Sequence, residues 1–108
     1  MILVFKYILP KRYDGLTLWP LIILKESKLK NDEILINHER IHLRQQLELL
    51  IVFFYLWYLI EWIIGMIRFR NSVKAYRNVS FEKEAYACES DLNYLGKRPR
   101  FSFVKYLF

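Results

Sequence analysis

The chain has 108 residues, room for one hydrophobic core and not for two, so it reads as one minimal domain. Apolar residues make up 55% of it and aromatics 18%, yet its formal net charge is +6, a pairing that points to a membrane surface or a protein partner. Its basic residues are dispersed and match no nucleic-acid recognition module, which sets nucleic acid aside, and a single cysteine excludes an internal disulfide framework.

The first stretch, Met1 to Pro10, carries Lys6 inside its apolar run and has no small-residue cleavage site, so it is not read as a signal peptide. A cytoplasmic location, with association to a membrane, is the expectation. Residues 2–9 and 16–24 are apolar runs of strand length separated by the turn-rich Pro10 to Gly15, and together they predict a small sheet. Pro20 makes the second run an edge strand or a bend, and an open edge can hold an extended peptide.

Asn31, Asp32 and Glu33 offer helix-start residues ahead of Ile36-Asn37-His38-Glu39-Arg40-Ile41-His42, which holds both histidines of the protein. This is H-E-x-x-H. On a helix, positions four apart share one face, so His38 and His42 can bind one zinc ion while Glu39 serves a water activated there as general base. A third protein ligand must come from elsewhere, and with Cys88 as the only thiol a closed cysteine-rich site is ruled out.

Leu49 to Ile67 is apolar and aromatic, long enough to cross a bilayer, and followed by Arg68, Arg70, Lys74 and Arg77. Glu61 within it is a cost against immersion. Asn78-Val79-Ser80 then offers caps for a helix over Phe81 to Leu95, with Ala85, Cys88, Leu92 and Leu95 along one stripe, ended by Gly96 to Pro99. The apolar tail 101–108 must pack on the domain, lie in the cleft and make the chain latent, or meet lipid. The late helix holds two candidate ligands, Glu82 and Glu84, about 200° apart around the axis, so only one can face the metal.

These residues carry a resemblance. H-E-x-x-H followed by Glu84-Ala85-Tyr86-Ala87-Cys88 on a later helix resembles the gluzincin zinc metallopeptidases, in which a glutamate followed by a small residue completes the site. The pattern from Gly15 through the zinc helix, the hydrophobic helix and the late Glu-Lys-Glu is most similar to the integral-membrane peptidase domains of beta-lactam sensor proteins. The resemblance implies Glu84 as third ligand. Cys88 stands where an aspartate is usual, so Cys88, or Asp91 one turn on, becomes the candidate support for a histidine. Tyr76 and Tyr86 are the candidate oxyanion partners by chemistry.

A metal held by residues on both sides of the hydrophobic segment constrains its path, because all three ligands must lie about 2 Å from one ion. A single crossing between His42 and Glu84 is incompatible with that, so a helical hairpin turning near Gly65 is expected. The fold class is thus α+β and mainly helical: short strands (1–30), a zinc helix and hydrophobic hairpin (31–77), a third-ligand helix (78–96) and an apolar tail (97–108). The expected function is zinc-dependent hydrolysis of a peptide or protein substrate, with a membrane surface or a second copy meeting segment 49–67. The competing expectation is a non-catalytic module that zinc stabilises for membrane or protein binding.

Overall fold

The computed structural model describes residues 2–4 and 14–107, and the fold is α+β and mainly helical. Three short strands form one sheet in the order β1-β3-β2: β1 (Ile2–Val4) runs parallel to the central β3 (Leu21–Leu24), and β2 (Gly15–Leu18) runs antiparallel along its other side. The expected strand over 16–24 is therefore two. Trp19 and Pro20, joined by a cis peptide bond, turn the chain between Leu18 and Leu21, so only the first half of that run is an edge strand. Of the expected run over 2–9, residues 5–9 lie outside the described residues, as do 10–13 of the turn after it.

A 3₁₀ turn (Ser27–Asn31) leads into α1 (Glu33–Glu48), whose first turn is closed by the Asp32 carboxylate accepting from Leu35 N at 3.1 Å. The faces of α1 have different neighbours. Ile36 and Leu43 pack with Ile22 and Leu24 of the sheet, whereas His38, His42 and Gln45 meet the later helix and Glu39 and Gln46 meet β2. Leu50 and Ile51, both at positive φ, turn the chain into α2 (Val52–Phe69).

This helix runs straight through Gly65. The reversal expected there comes instead at Arg70, a left-handed residue whose N–H bonds Met66 O, a cap that ends α2. Gly65 serves the return: a Cβ on it would lie 2.9 Å from Ala75 Cα, so its absence lets α3 (Ser72–Arg77) cross α2 closely. By Ser80 the chain is level with Glu61, whose carboxylate accepts from both Ser80 N and Ser80 Oγ. Glu61 is thus turned inward as a cap for the next helix, α4 (Ser80–Cys88), rather than being presented outward.

α4 is shorter than the expected helix over 81–95. It ends at Cys88, and a separate turn of helix, α5 (Tyr94–Lys97), follows. The tail packs on the domain through a 3₁₀ turn (Ser102–Tyr106), burying Phe103 against Phe81 and alongside Phe54 and Val79. α2 is long and apolar enough to cross a membrane, and only Phe54 and Gly65 of its 18 residues are buried in the fold.

Candidate metal centre

Between the sheet-side and tail-side clusters lies a polar layer built from α1 and α4. His38 and His42, one turn apart, both point Nε2 at a single oxygen, Oε1 of Glu82, at 3.1 and 3.0 Å, and the two Nε2 atoms are 3.2 Å from each other. All three side chains are buried. A tetrahedral zinc with bonds of about 2.0–2.1 Å holds its ligand atoms about 3.3–3.4 Å apart, so this triangle is within a few tenths of an ångström of a zinc face.

The other nitrogen of each ring decides what the triangle needs. Gln45 donates its Nε2 to Phe81 O (3.1 Å) and Glu84 Oε1 (3.0 Å), which turns its Oε1 toward His42 Nδ1 at 2.7 Å. An amide oxygen only accepts, so Nδ1 carries the proton. His38 Nδ1 faces Glu89 Oε2 at 2.8 Å, and a carboxylate there also fixes the proton on Nδ1. Both Nε2 lone pairs and a carboxylate oxygen consequently converge with no proton left to share, unless one ring becomes charged. Burial opposes charging His42, but the Glu82 carboxylate beside it, helped by Glu39 and Gln45, outweighs burial and pushes its pKa up to about 9. Burial likewise opposes charge on Glu82, and the two histidines hold its carboxyl well below the usual range. The donor set of two imidazoles and a carboxylate is one that zinc takes, and the three could hold such an ion.

Of the two candidate glutamates, the fold brings Glu82 and not Glu84 together with both histidines. Glu84, two residues on, turns to the opposite side, where Arg98 Nε and Nη2 grip both its oxygens and Tyr94 OH donates to Oε2 at 2.7 Å. Fully enclosed and already paired with a cation, it has no oxygen to offer a metal. The candidate supports also differ from expectation. Cys88 Sγ faces Tyr106 OH at 3.7 Å and the Asp91 carboxylate pairs with Lys97 at 2.8 Å, while Glu89, at the end of α4, supports His38. Cys88 and Asp91 contribute through their backbone carbonyls, which with that of Glu89 accept from Asn37 Nδ2 and tie α1 to the end of α4.

A helical wheel contains the missed signal. Glu82, Tyr86 and Glu89 recur at i, i+4 and i+7 on one face of α4, whereas Glu84 falls within the Phe81, Ala85, Cys88 stripe. Glu82 receives a further bond from α2, Tyr58 OH donating to its Oε2 at 2.8 Å.

Glu39 lies on the same helix as the histidines, with its carboxylate hydrogen-bonded by the Thr17 hydroxyl of β2. Gly15 makes room for it: a Cβ there would sit 3.1 Å from Glu39 Oε1. Glu39, His42 and Glu82 line the polar end of a cavity of about 510 Å³ between β2 and α2, whose walls include Leu16, Tyr55, Leu59 and Trp62. Tyr76 also lines it, and its hydroxyl is 2.9 Å from that of Tyr86, whose ring lies edge-on to His38. Burial, reinforced by Glu82 for Tyr76, raises both phenols above their usual value, so both keep their protons. None of the tail's described residues lines this cavity; its 3₁₀ turn packs on α4.

No family model, curated protein or solved structure matches the chain.

Proposed function

We propose that the chain is a minimal, gluzincin-like zinc peptidase whose ion is held by His38, His42 and Glu82. The observation that carries the reading is the convergence of two Nε2 atoms and one carboxylate oxygen, each within 3.2 Å of the others, with both Nδ1 protons fixed by acceptors. Zinc bound there would supply Lewis acidity toward a carbonyl oxygen and toward water near neutral pH.

Glu39 is the general base: it lines the same cavity, is oriented by Thr17, and forms no ion pair with a lysine or arginine among the described residues. It takes a proton from the attacking water and delivers it to the leaving nitrogen. Tyr76, protonated and lining the same cavity, is the donor for the developing oxyanion, with Tyr86 holding its hydroxyl. A peptide enters beside the edge of β2. Within that edge the Thr17 carbonyl is already taken by Gln46 Nε2 and Tyr55 OH at 2.9 Å each, so pairing with substrate runs through the neighbouring Gly15. The closed carbonyl is the one feature that favours the second reading, a non-catalytic module in which zinc pins α1 to α4.

The outer face of α2, with Phe53, Leu56, Ile60, Ile63, Ile64 and Ile67 exposed, is the surface for a membrane, and Arg68, Arg70 and Lys74 at its end meet anionic headgroups. The location that follows is the cytoplasmic face of a membrane. Flotation of the zinc-loaded full-length protein with anionic vesicles, and its loss in Ile60→Lys/Ile64→Lys, tests this part.

Glu39→Gln tests the catalytic part. The variant is expected to keep its zinc and to lose peptide hydrolysis by about 10²–10⁴-fold. Full zinc occupancy without cleavage of any member of a broad peptide library by the unsubstituted protein would instead establish the non-catalytic module.

A further inference from the structure

Glu84 and Arg98 are fully buried charged groups that neither bind metal nor face the cavity, and the reaction uses neither. They are nevertheless joined to the metal centre by an unbroken series of hydrogen bonds. Arg98 holds both oxygens of Glu84, Glu84 Oε1 accepts from Gln45 Nε2 at 3.0 Å, and Gln45 Oε1 accepts from His42 Nδ1 at 2.7 Å. Each link removes a freedom from the next. The guanidinium fork fixes the carboxylate plane, the carboxylate together with Phe81 O fixes which way the Gln45 amide faces, and the amide oxygen fixes the tautomer and tilt of the imidazole.

Arg98 is itself anchored by Glu48 at 2.8 Å, and the same Glu48 oxygen accepts from Phe101 N at 3.0 Å, so the start of the tail is stitched to the end of α1. Glu48 Oε1 is buried with no hydrogen-bond partner among the described residues. The cluster thus sets two carboxylates against one guanidinium, an excess of negative charge next to a site that takes a cation.

We propose that the carboxy-terminal segment, through Arg98, Glu84 and Gln45, positions His42 and so sets the affinity of the centre for its metal. Gln45, Glu84 and Arg98 are positioning residues. The proposal rests on the zinc reading for its consequence, but its mechanical part, the hold on His42, concerns the protein with or without metal. On this account the tail completes the site rather than blocking it.

The test uses the full-length protein with Gln45→Met, Arg98→Met and, as a control that loosens the tail without touching the series, Phe103→Leu. Two readouts are taken: zinc affinity by chelator competition, and the exchange-protected Nδ1–H proton resonance of His42 by NMR. Zinc affinity should fall about 10–100-fold in Gln45→Met, as for loss of a residue behind a metal ligand, by about tenfold in Arg98→Met, and not at all in Phe103→Leu. The protected resonance should vanish in the first variant, broaden in the second and persist in the control. If Arg98→Met does not fold, Glu84→Gln takes its place, with a smaller effect in the same direction. Protection and affinity unchanged in both Gln45→Met and Arg98→Met, or reduced equally in Phe103→Leu, overturns the proposal. A protein that binds no zinc but loses the His42 resonance in Arg98→Met supports the positioning and removes the metal reading.

Discussion

Two glutamates two residues apart on α4 end in opposite kinds of site. Glu84 faces an arginine, whose charge cannot be discharged, and the result is a closed cluster with a permanent countercharge. Glu82 faces two histidines whose Nδ1 protons are already committed elsewhere, so its countercharge comes only from a proton that His42 can give up or from an added cation. Burial penalises the charge of both carboxyls, and in both the partners win and hold the pKa below its usual 4.5. The difference is whether the countercharge is built into the chain. Where it is, the cluster is structural; where it is not, the site is open to a metal.

The strongest way to sharpen this comparison is to neutralise each glutamate in turn in the ion-free protein. Glu84→Gln leaves a buried guanidinium with only Glu48, and should cost about 3 kcal/mol in chemical denaturation. Glu82→Gln should cost clearly less, because His42 can give up its proton where Arg98 cannot. Equal losses would mean that the histidine side is as closed as the arginine side.

His42 and Glu84 also respond to pH in opposite directions. In the ion-free protein His42 rises from 6.5 to about 9, so its contribution to stability is fully present below about 6.5 and is lost as pH rises through about 9. Glu84 lies below 4.5, so its contribution is present above that value and is lost as pH falls beneath it. Zinc must displace the His42 proton, and its affinity should therefore climb by up to about tenfold per pH unit and level off near pH 9. A pH-independent zinc affinity between 7 and 9, measured by competition titration at about unit intervals, would show that no such proton is there.

The smallest effect belongs to a position outside both sites. Gly65→Ala pushes a methyl group against the Ala75 backbone, which cannot swing aside as a side chain can. The expected cost is about 1–3 kcal/mol in thermal or chemical unfolding, with zinc affinity unchanged. A change in affinity as large as that of Gln45→Met would mean that the α2 and α3 crossing acts on the metal centre.

What the sequence made legible follows from how local each feature is. The helix α1 is written in consecutive residues, Asp32 at its start and histidines four apart, and it forms as the spacing predicts. The out-and-back path between His42 and α4 is also as expected, but its turning point is not: the apolar segment is one straight helix and α3 makes the return. Gly65 reads as a turn only in isolation, whereas in the fold it is the thin place on α2 where Ala75 crosses. The choice between Glu82 and Glu84 depends on Arg98, fourteen residues downstream in an apparent tail, whose pairing no local pattern announces. The helix break after Cys88, which brings Glu89 rather than Asp91 to His38, is likewise set by the α1 contact through Asn37 and not by any glycine or proline at that point.

Zinc content after reconstitution and desalting, by elemental analysis of the full-length protein beside Glu82→Gln and Glu84→Gln, tests the central claim most directly. About one equivalent is expected in the unsubstituted protein, near that in Glu84→Gln, and background in Glu82→Gln. Less than about a tenth of an equivalent in the unsubstituted protein, or loss of zinc from Glu84→Gln with retention in Glu82→Gln, would contradict it.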